Sequence, residues 1–162
     1  MRKQIITPDT TATRPPPSTI YDVASLAQAA ISSEDEAHPL ENAFDGKGGP
    51  GGTFWRARED GEQTLILAFD APLAIRRVRL EIEETELNRT QELQLAVSTD
   101  GGTTYRELVR QEFNFSPPNT RFEREDWAVE ASGSTHLRLK IKPDKGGRIG
   151  RASLTTLALS GS

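Results

Sequence analysis

Arg56 and Arg58 stand two residues apart around Ala57. On an extended chain both guanidinium groups therefore leave the same face. A planar guanidinium grips a carboxylate or phosphate through two parallel hydrogen bonds. With Glu59, Asp60 and Glu62 beside them, the same arginines can instead pair on a solvated surface. Trp55 precedes them and offers either a face on which a sugar ring stacks or a large apolar body that closes one end of a core. Upstream, Gly46, Gly48, Gly49, Gly51 and Gly52 surround Pro50. This is no phosphate cradle, because Lys47 is followed by glycine and the Gly-Lys-Ser/Thr signature is missing. Asp45 enters the loop either as a ligand-binding carboxylate or as a turn former that accepts from the backbone after it.

A second constellation spans residues 112–127, where Phe113, Phe115, Phe122 and Trp127 interleave with Asn114, Arg121, Arg124, Glu125 and Asp126 around Pro117 and Pro118. A long connection rich in aromatics reads as a packed binding loop, with Phe115 stacking and Asn114 and Arg121 supplying hydrogen bonds. The alternation of Phe113 and Phe115 equally suits a core face. A third lies at Arg138, Lys140 and Lys142, which share one side of an alternating segment, with Lys145 and Arg148 flanking Gly146 and Gly147. They form an anion-binding strip or a solvated face paired with the acidic residues 81–86. No aromatic stands among these basic residues, so the stacking half of a single-strand binder is missing.

Catalytic chemistry is scarce by comparison. The chain has no cysteine, which removes disulfides, thiolate metal sites and a thiol nucleophile. His38 and His136 are its only histidines; no pair of them sits at metal-ligand spacing on one element, and no Gly-x-Ser-x-Gly elbow occurs. The expectation is a non-catalytic protein with no catalytic residue, no metal site and no cofactor.

The elements that must position these groups follow from periodicity. The chain's 162 residues suit one domain. Residues 1–19 are rich in Thr, Pro and charge and read as a disordered arm, leaving residues 20–162 as the folded domain. Leu65, Leu67 and Phe69, then Val78, Leu80 and Ile82, then Leu93, Leu95 and Val97, and finally Leu137, Leu139 and Ile141 each alternate with more polar neighbours. Arg77, Arg79, Glu81 and Glu83 are thereby assigned to a wet face. One buried and one wet face per strand is the pattern of antiparallel sheets. Asp100-Gly101-Gly102 signals a hairpin, and residues 154–159 read as a last buried strand. One Ala-rich stretch, residues 23–30, reads as a short helix. The fold class is therefore all-β, an antiparallel β-sandwich. The net charge of −4 hides a polarity: +2 over residues 1–20, +5 over residues 138–151 and −11 over residues 21–137. No apolar run is long enough to cross a bilayer, and no signal peptide is evident. A cytoplasmic monomer with no membrane partner is expected.

Three stretches carry a resemblance to a known family. Residues 32–39 lead into Glu41-Asn42-Ala43-Phe44-Asp45-Gly46, with Trp55 following. Leu95-Ala96-Val97-Ser98-Thr99-Asp100-Gly101-Gly102 forms a Ser-x-Asp-Gly hairpin. Arg138-Leu139-Lys140-Ile141 and residues 152–161 close the set. Together they resemble the discoidin or coagulation-factor type C (F5/8 type C) family, whose members share the galactose-binding-like jelly roll, and they look like small bacterial carbohydrate-binding members. Residues 55–64 and 115–121 are also similar to the N-terminal domain of the eukaryotic single-strand-break repair scaffold. The resemblance implies a jelly-roll sandwich that binds a glycan through loops at one end. Asp45, Trp55, Arg56, Arg58, Asn114, Phe115 and Arg121 are its candidate contacts, and Arg138, Lys140 and Lys142 a separate anion strip. It also implies a structural calcium at the Asp45 loop. The acidic residue that commonly completes that site in the last strand falls here at Thr155 or Thr156, a departure that argues against the ion. The alternative function is a protein-interaction scaffold linked to nucleic-acid repair; nucleic acid itself is a disfavoured partner.

Overall fold

The computed structural model of this protein describes residues 20–161. The arm expected at residues 1–19 lies outside the described residues. Alternating segments become antiparallel strands that bury one face each. In chain order the elements are α1 (Val23–Leu26), β1 (Ala27–Ile31), a 3-10 turn (Leu40–Phe44), β2 (Trp55–Arg56), β3 (Gln63–Glu83), β4 (Arg89–Ser98), β5 (Arg106–Phe115), β6 (Phe122–Lys142), β7 (Ser153–Leu154) and β8 (Thr156–Ser160).

The two longest strands build both layers of the sandwich. In their first pairing Leu65 lies opposite Leu139 and Leu67 opposite Leu137. The register then slips between Ala68 and Arg77, and Val78 meets Trp127 and Ile82 meets Glu123. Bulges of this kind bend and twist an antiparallel pair, so this one strand pair serves both layers. The first layer runs β1-β3-β6-β4-β5, and β8 pairs with the far half of β3. Leu93, Leu95, Val97, Leu137, Leu139 and Ile141 from one layer close into a single core with Val78, Leu80, Ile82, Leu157 and Leu159 from the other. Each such side chain stabilises the fold by roughly 1.5–3 kcal/mol on leaving water.

Three local expectations are corrected. Residues 23–30 give only one helical turn, and from Ala27 the chain pairs with residues 65–69 of β3. A turn of four residues is far too short to hold itself, and the ladder offered by β3 outweighs alanine's helix propensity. Residues 112–127 are not a long loop: β5 runs to Phe115, β6 starts at Phe122, and a short turn joins them. The last apolar run divides at Thr155, with β7 pairing to β2 and β8 to β3.

Register also fixes what shares an end. Ile31 pairs with Leu65, Gln63 with Ile141, Glu92 with Lys142, Arg89 with Phe115 and Glu83 with Phe122. Residues 32–62, 84–88, 116–121 and 143–152 therefore emerge together. The opposite end carries the expected Asp100 hairpin, where Gly101 and Gly102 take φ of +79° and +87°. Ser98 Oγ donates to the Asp100 carboxylate at 2.6 Å and Thr104 N–H at 2.9 Å, which holds that carboxyl well below the usual range.

Candidate functional site

Trp55 and Phe115, each open in sequence between sugar platform and core, lie in the core. Trp55 is 1% exposed and Phe115 is 3% exposed. Trp55 pairs through β2 with Leu154 of β7, and its Nε1–H donates to Ser33 O at 3.2 Å. Neither ring can stack on a sugar: β-pairing turns both side chains inward, and Trp55 finds its one polar partner indoors. Arg56, the next residue, turns outward and chelates Asp35 through Nη2 at 2.8 Å and Nε at 3.3 Å. Arg151 Nη1 shares that carboxylate at 3.6 Å. Arg56 thus pairs with Asp35, a residue 21 positions away, in place of Glu59, Asp60 or Glu62.

The glycine loop is held by carboxylates from two sides. Asp45 Oδ1 accepts from Lys47 N–H at 2.8 Å and its Oδ2 from the Thr53 hydroxyl at 2.6 Å, as an Asx turn does. Glu81, assigned to a wet face by alternation, is 3% exposed. Its Oε1 accepts from Gly49 N–H and from the Thr156 hydroxyl, both at 2.9 Å, and its Oε2 from Arg124 Nε at 2.6 Å. Burial pushes the Glu81 carboxyl up, but the donors from Gly49, Thr156 and Arg124 outweigh it, and the net shift is downward. Gly48 is required by proximity: a Cβ there would lie 2.1 Å from Thr156 Oγ1 and 2.5 Å from Glu81 Oε1.

These donors do not fit the calcium ion that the family resemblance implies. Around Thr53 Oγ1 the structure gathers one carboxylate, at Asp45, and the carbonyls of Asn42 and Lys47 at 3.4 and 3.5 Å. Calcium wants six to eight oxygens, several of them carboxylate. Both Asp45 oxygens are engaged, and the acid missing from the last strand is replaced by Glu81, opposite Thr156 in the β3–β8 register. That carboxylate already carries the positive charge of Arg124. Among the described residues no three His, Cys, Asp or Glu side chains cluster as metal ligands.

Beside this loop, at the same end, a cleft of about 330 Å³ opens between residues 83–89, residues 149–153 and the Phe54–Arg56 edge. Such a volume suits a small ligand. Its floor is a buried ion pair, Arg89 Nη2 to Glu84 Oε1 at 2.6 Å. Arg89 Nη2 also donates to Arg151 O at 3.0 Å, and Glu84 Oε2 accepts from the N–H groups of Glu86 and Leu87 at 3.1 and 3.2 Å. Burial pulls the Arg89 guanidinium below its ordinary range, offset in part by Glu84 and Asp144. Yet among the described residues Arg89 Nε and Nη1 have no hydrogen-bond partner, and neither have the two amide atoms of Gln91 on the same side of β4. An unmatched buried donor costs about 1–3 kcal/mol. Gly150 covers Nη1 so closely that a Cβ would come within 2.7 Å. The loop carrying Gly150 is tied by Asp144, which accepts from Arg148 N–H at 2.9 Å and Nε at 3.0 Å, and by Arg148 Nη2 on Asn88 O at 3.0 Å. Leu87 and Ile149, two of the exposed large apolar side chains, line the opening with Asp60, Glu83 and Glu86.

Of the sequence candidates, only Arg56 lines this cleft. Arg58 lies in an adjoining depression with Asp35, Glu36 and Arg151. Asp45 serves its own loop. Asn114 is exposed on β5 and accepts from the Thr90 hydroxyl at 2.7 Å. Arg121 is exposed, and its carbonyl accepts from Glu84 N–H at 2.7 Å. Arg138, Lys140 and Lys142 share the outer side of β6, as expected, beside Ala96, Gln94 and Glu92 of β4. Arg138 lies over the Tyr105 ring at 4.2 Å, so an aromatic does join this strip, delivered by another strand. The strip does not pair with Glu81, Glu83 or Glu84, whose carboxylates are spent on Gly49, Gly51, Arg89 and Arg124. Glu84, Leu87, Arg89, Ile149 and Arg151 escaped the sequence reading. One signal was available for Arg89: it continues the inward period of Gln91, Leu93, Leu95 and Val97, so a charge there is a buried charge.

Comparison with known proteins agrees with this architecture. A family 32 carbohydrate-binding module of NanJ from C. perfringens, solved in complex with galactose, superposes with a TM-score of 0.63 at 14% identity, covering 88% of this chain and 98% of that one. A second Clostridium perfringens module, CpGH89CBM32-5, in complex with GalNAc-β-1,3-galactose, gives 0.57 at 20% identity over 87% and 99%. The CBM32 of AlyQ, in complex with 4,5-unsaturated mannuronic acid, gives 0.61 at 16% over 87% and 97%. At these identities the likeness speaks for the fold. No curated protein matches the chain, and the narrower likeness to a repair scaffold finds no support in these comparisons. The F5/8 type C domain family matches residues 28–153, and the chain belongs to that family.

Proposed function

We propose that this F5/8 type C domain is a non-catalytic carbohydrate-binding module whose ligand enters the cleft between residues 83–89 and 149–153. The observation that carries this reading is the cleft's composition. Sugar hydroxyls donate and accept at once, and here guanidinium donors (Arg56, Arg89, Arg151) stand beside carboxylate acceptors (Glu83, Glu84). The apolar C–H face of a sugar ring finds Leu87 and Ile149 in place of the customary aromatic. A few placed polar groups within an apolar rim are the usual make-up of a small-ligand site. The solved relatives with galactose and GalNAc-β-1,3-galactose bound support carbohydrate as the ligand class. Arg56 is the sequence candidate retained for contact, and Trp55 and Phe115 are withdrawn. The glycine loop beside the cleft is held by the Glu81 clasp. An NMR titration with millimolar galactose and N-acetylgalactosamine tests the reading. Resonances of Leu87, Ile149 and Gly150 should move; a spectrum unchanged by these and a wider saccharide panel overturns it.

A further inference from the structure

We infer that the cleft selects against acidic sugars and prefers an amine-bearing one. This inference rests on the glycan reading of the same cleft. The supporting observation is how the charges are spent. Three guanidinium groups line the cleft, and each faces a carboxylate: Arg89 pairs with Glu84, and Arg56, with Arg151 more loosely at 3.6 Å, shares the one carboxylate of Asp35. Four carboxylates line it, and among the described residues only Glu84 has a cationic partner; Glu83 accepts from Gly51 N–H, and Asp60 and Glu86 make no ion pair with them. The cleft therefore shows an arriving ligand an excess of negative charge.

Arg89 is 7% exposed, and its Nε and Nη1 have no acceptor among the described residues. A carboxylate ligand could accept from Nη1 in principle. It could do so only by displacing Gly150, whose backbone covers Nη1, while passing Asp60, Glu83 and Glu86. A neutral hydroxyl or a water satisfies the same donors without carrying charge past that rim. An ammonium substituent facing Asp60 and Glu86 gains where a carboxylate loses. Each unscreened contact at about 4 Å in water is worth about fivefold in affinity. The AlyQ module, solved with an unsaturated mannuronic acid, shares the fold; the preference argued here belongs to this chain's rim and not to the architecture.

The test is an NMR titration at about pH 6 and low salt with galactose, N-acetylgalactosamine, galactosamine and galacturonic acid, and with their gluco-configured counterparts. Galactosamine or glucosamine should bind about fivefold or more tightly than its N-acetylated form, and the uronic acid about fivefold or more weakly than the neutral sugar. The double variant Asp60→Asn with Glu86→Gln, at two exposed positions, should flatten both ratios, and so should high salt. Binding of the uronic acid as tightly as the neutral sugar overturns the preference and leaves the glycan reading standing. Absence of shifts with every sugar overturns the glycan reading, and the preference falls with it.

Discussion

Two buried carboxylates, Glu81 and Glu84, lie three residues apart at the same end of the sandwich, and their surroundings differ in one respect. The Glu81 carboxylate is fully answered: backbone N–H, hydroxyl and guanidinium converge on it, and every partner is anchored in a strand or in the loop it holds. The Glu84 carboxylate is also well met, but its partner is not. Arg89 reaches it with one nitrogen and keeps two others unmatched above an unmatched Gln91. A fully satisfied buried network rigidifies a fold, whereas donors left unmatched by the protein are open to a water or a ligand group. The first region is therefore structural, and on the reading proposed above the second is where the ligand binds.

The largest effect should come from breaking the second region. Arg89→Ala removes one partner of a buried pair and leaves Glu84 uncompensated, which costs about 3–5 kcal/mol. Replacing both partners with apolar residues, Glu84→Leu with Arg89→Met, should restore much of that stability in urea unfolding while sugar binding stays lost. Recovery of binding in the double variant would show that the pair has no part in the site.

Glu81→Gln probes the first region and should cost about 1.5–3 kcal/mol, the usual value of hydrogen bonds to a charged group, without changing sugar affinity. Its pH dependence has a definite sign. The folded-state pKa of Glu81 lies below its ordinary 4.5, so its contribution is complete above that value and fades as the pH falls through the lower folded value. The stability gap between the wild-type chain and Glu81→Gln should therefore close in acid. A gap that is constant from pH 7 to pH 3 would mean that the clasp works without its charge.

The same pair of regions shows what the sequence could and could not disclose. Alternation reveals the strands, and with them the inward faces of Leu65, Leu93 and Leu139, because a period of two is local. It assigns Glu81 to water, since nothing local announces that a glycine loop 32 residues upstream will fold over it. It leaves Trp55 open between platform and core, for the deciding partner is Leu154 on a strand nearly a hundred residues later. Arg89 was legible in principle as a charge in an inward phase. Its partner Glu84 was not, because the turn that brings them together has no repeat to read.

A smaller effect separates the walls of the cleft from its floor. Leu87→Ser and Ile149→Ser remove exposed apolar area, with Ile149 83% exposed, so the melting temperature should stay within the range of neutral surface changes, about 0.5 kcal/mol. Sugar affinity should fall several-fold in each, because these side chains are the apolar face offered to a ring. Unchanged affinity in both would move the ligand from the cleft toward the Arg58 depression.

The smallest expected effect is none at all, and it bears on the glycine loop. If a calcium ion held residues 45–53, the loop's order would depend on it, and removal by chelator would lower the melting temperature by the ion's whole binding contribution. The Glu81 clasp does that task with a guanidinium: Arg124 brings the positive charge, and Gly49 N–H and the Thr156 hydroxyl take the remaining lone pairs. Asp45 spends both oxygens on Lys47 N–H and Thr53, so seating a cation there would first require those bonds to break. Calorimetric scans in EDTA and in millimolar calcium should therefore superimpose for the wild-type chain. For Arg124→Gln, which leaves Glu81 without its cation, added calcium should begin to matter. A calcium-dependent rise already present in the wild-type chain would place the ion, and not Arg124, at the centre of the loop's stability.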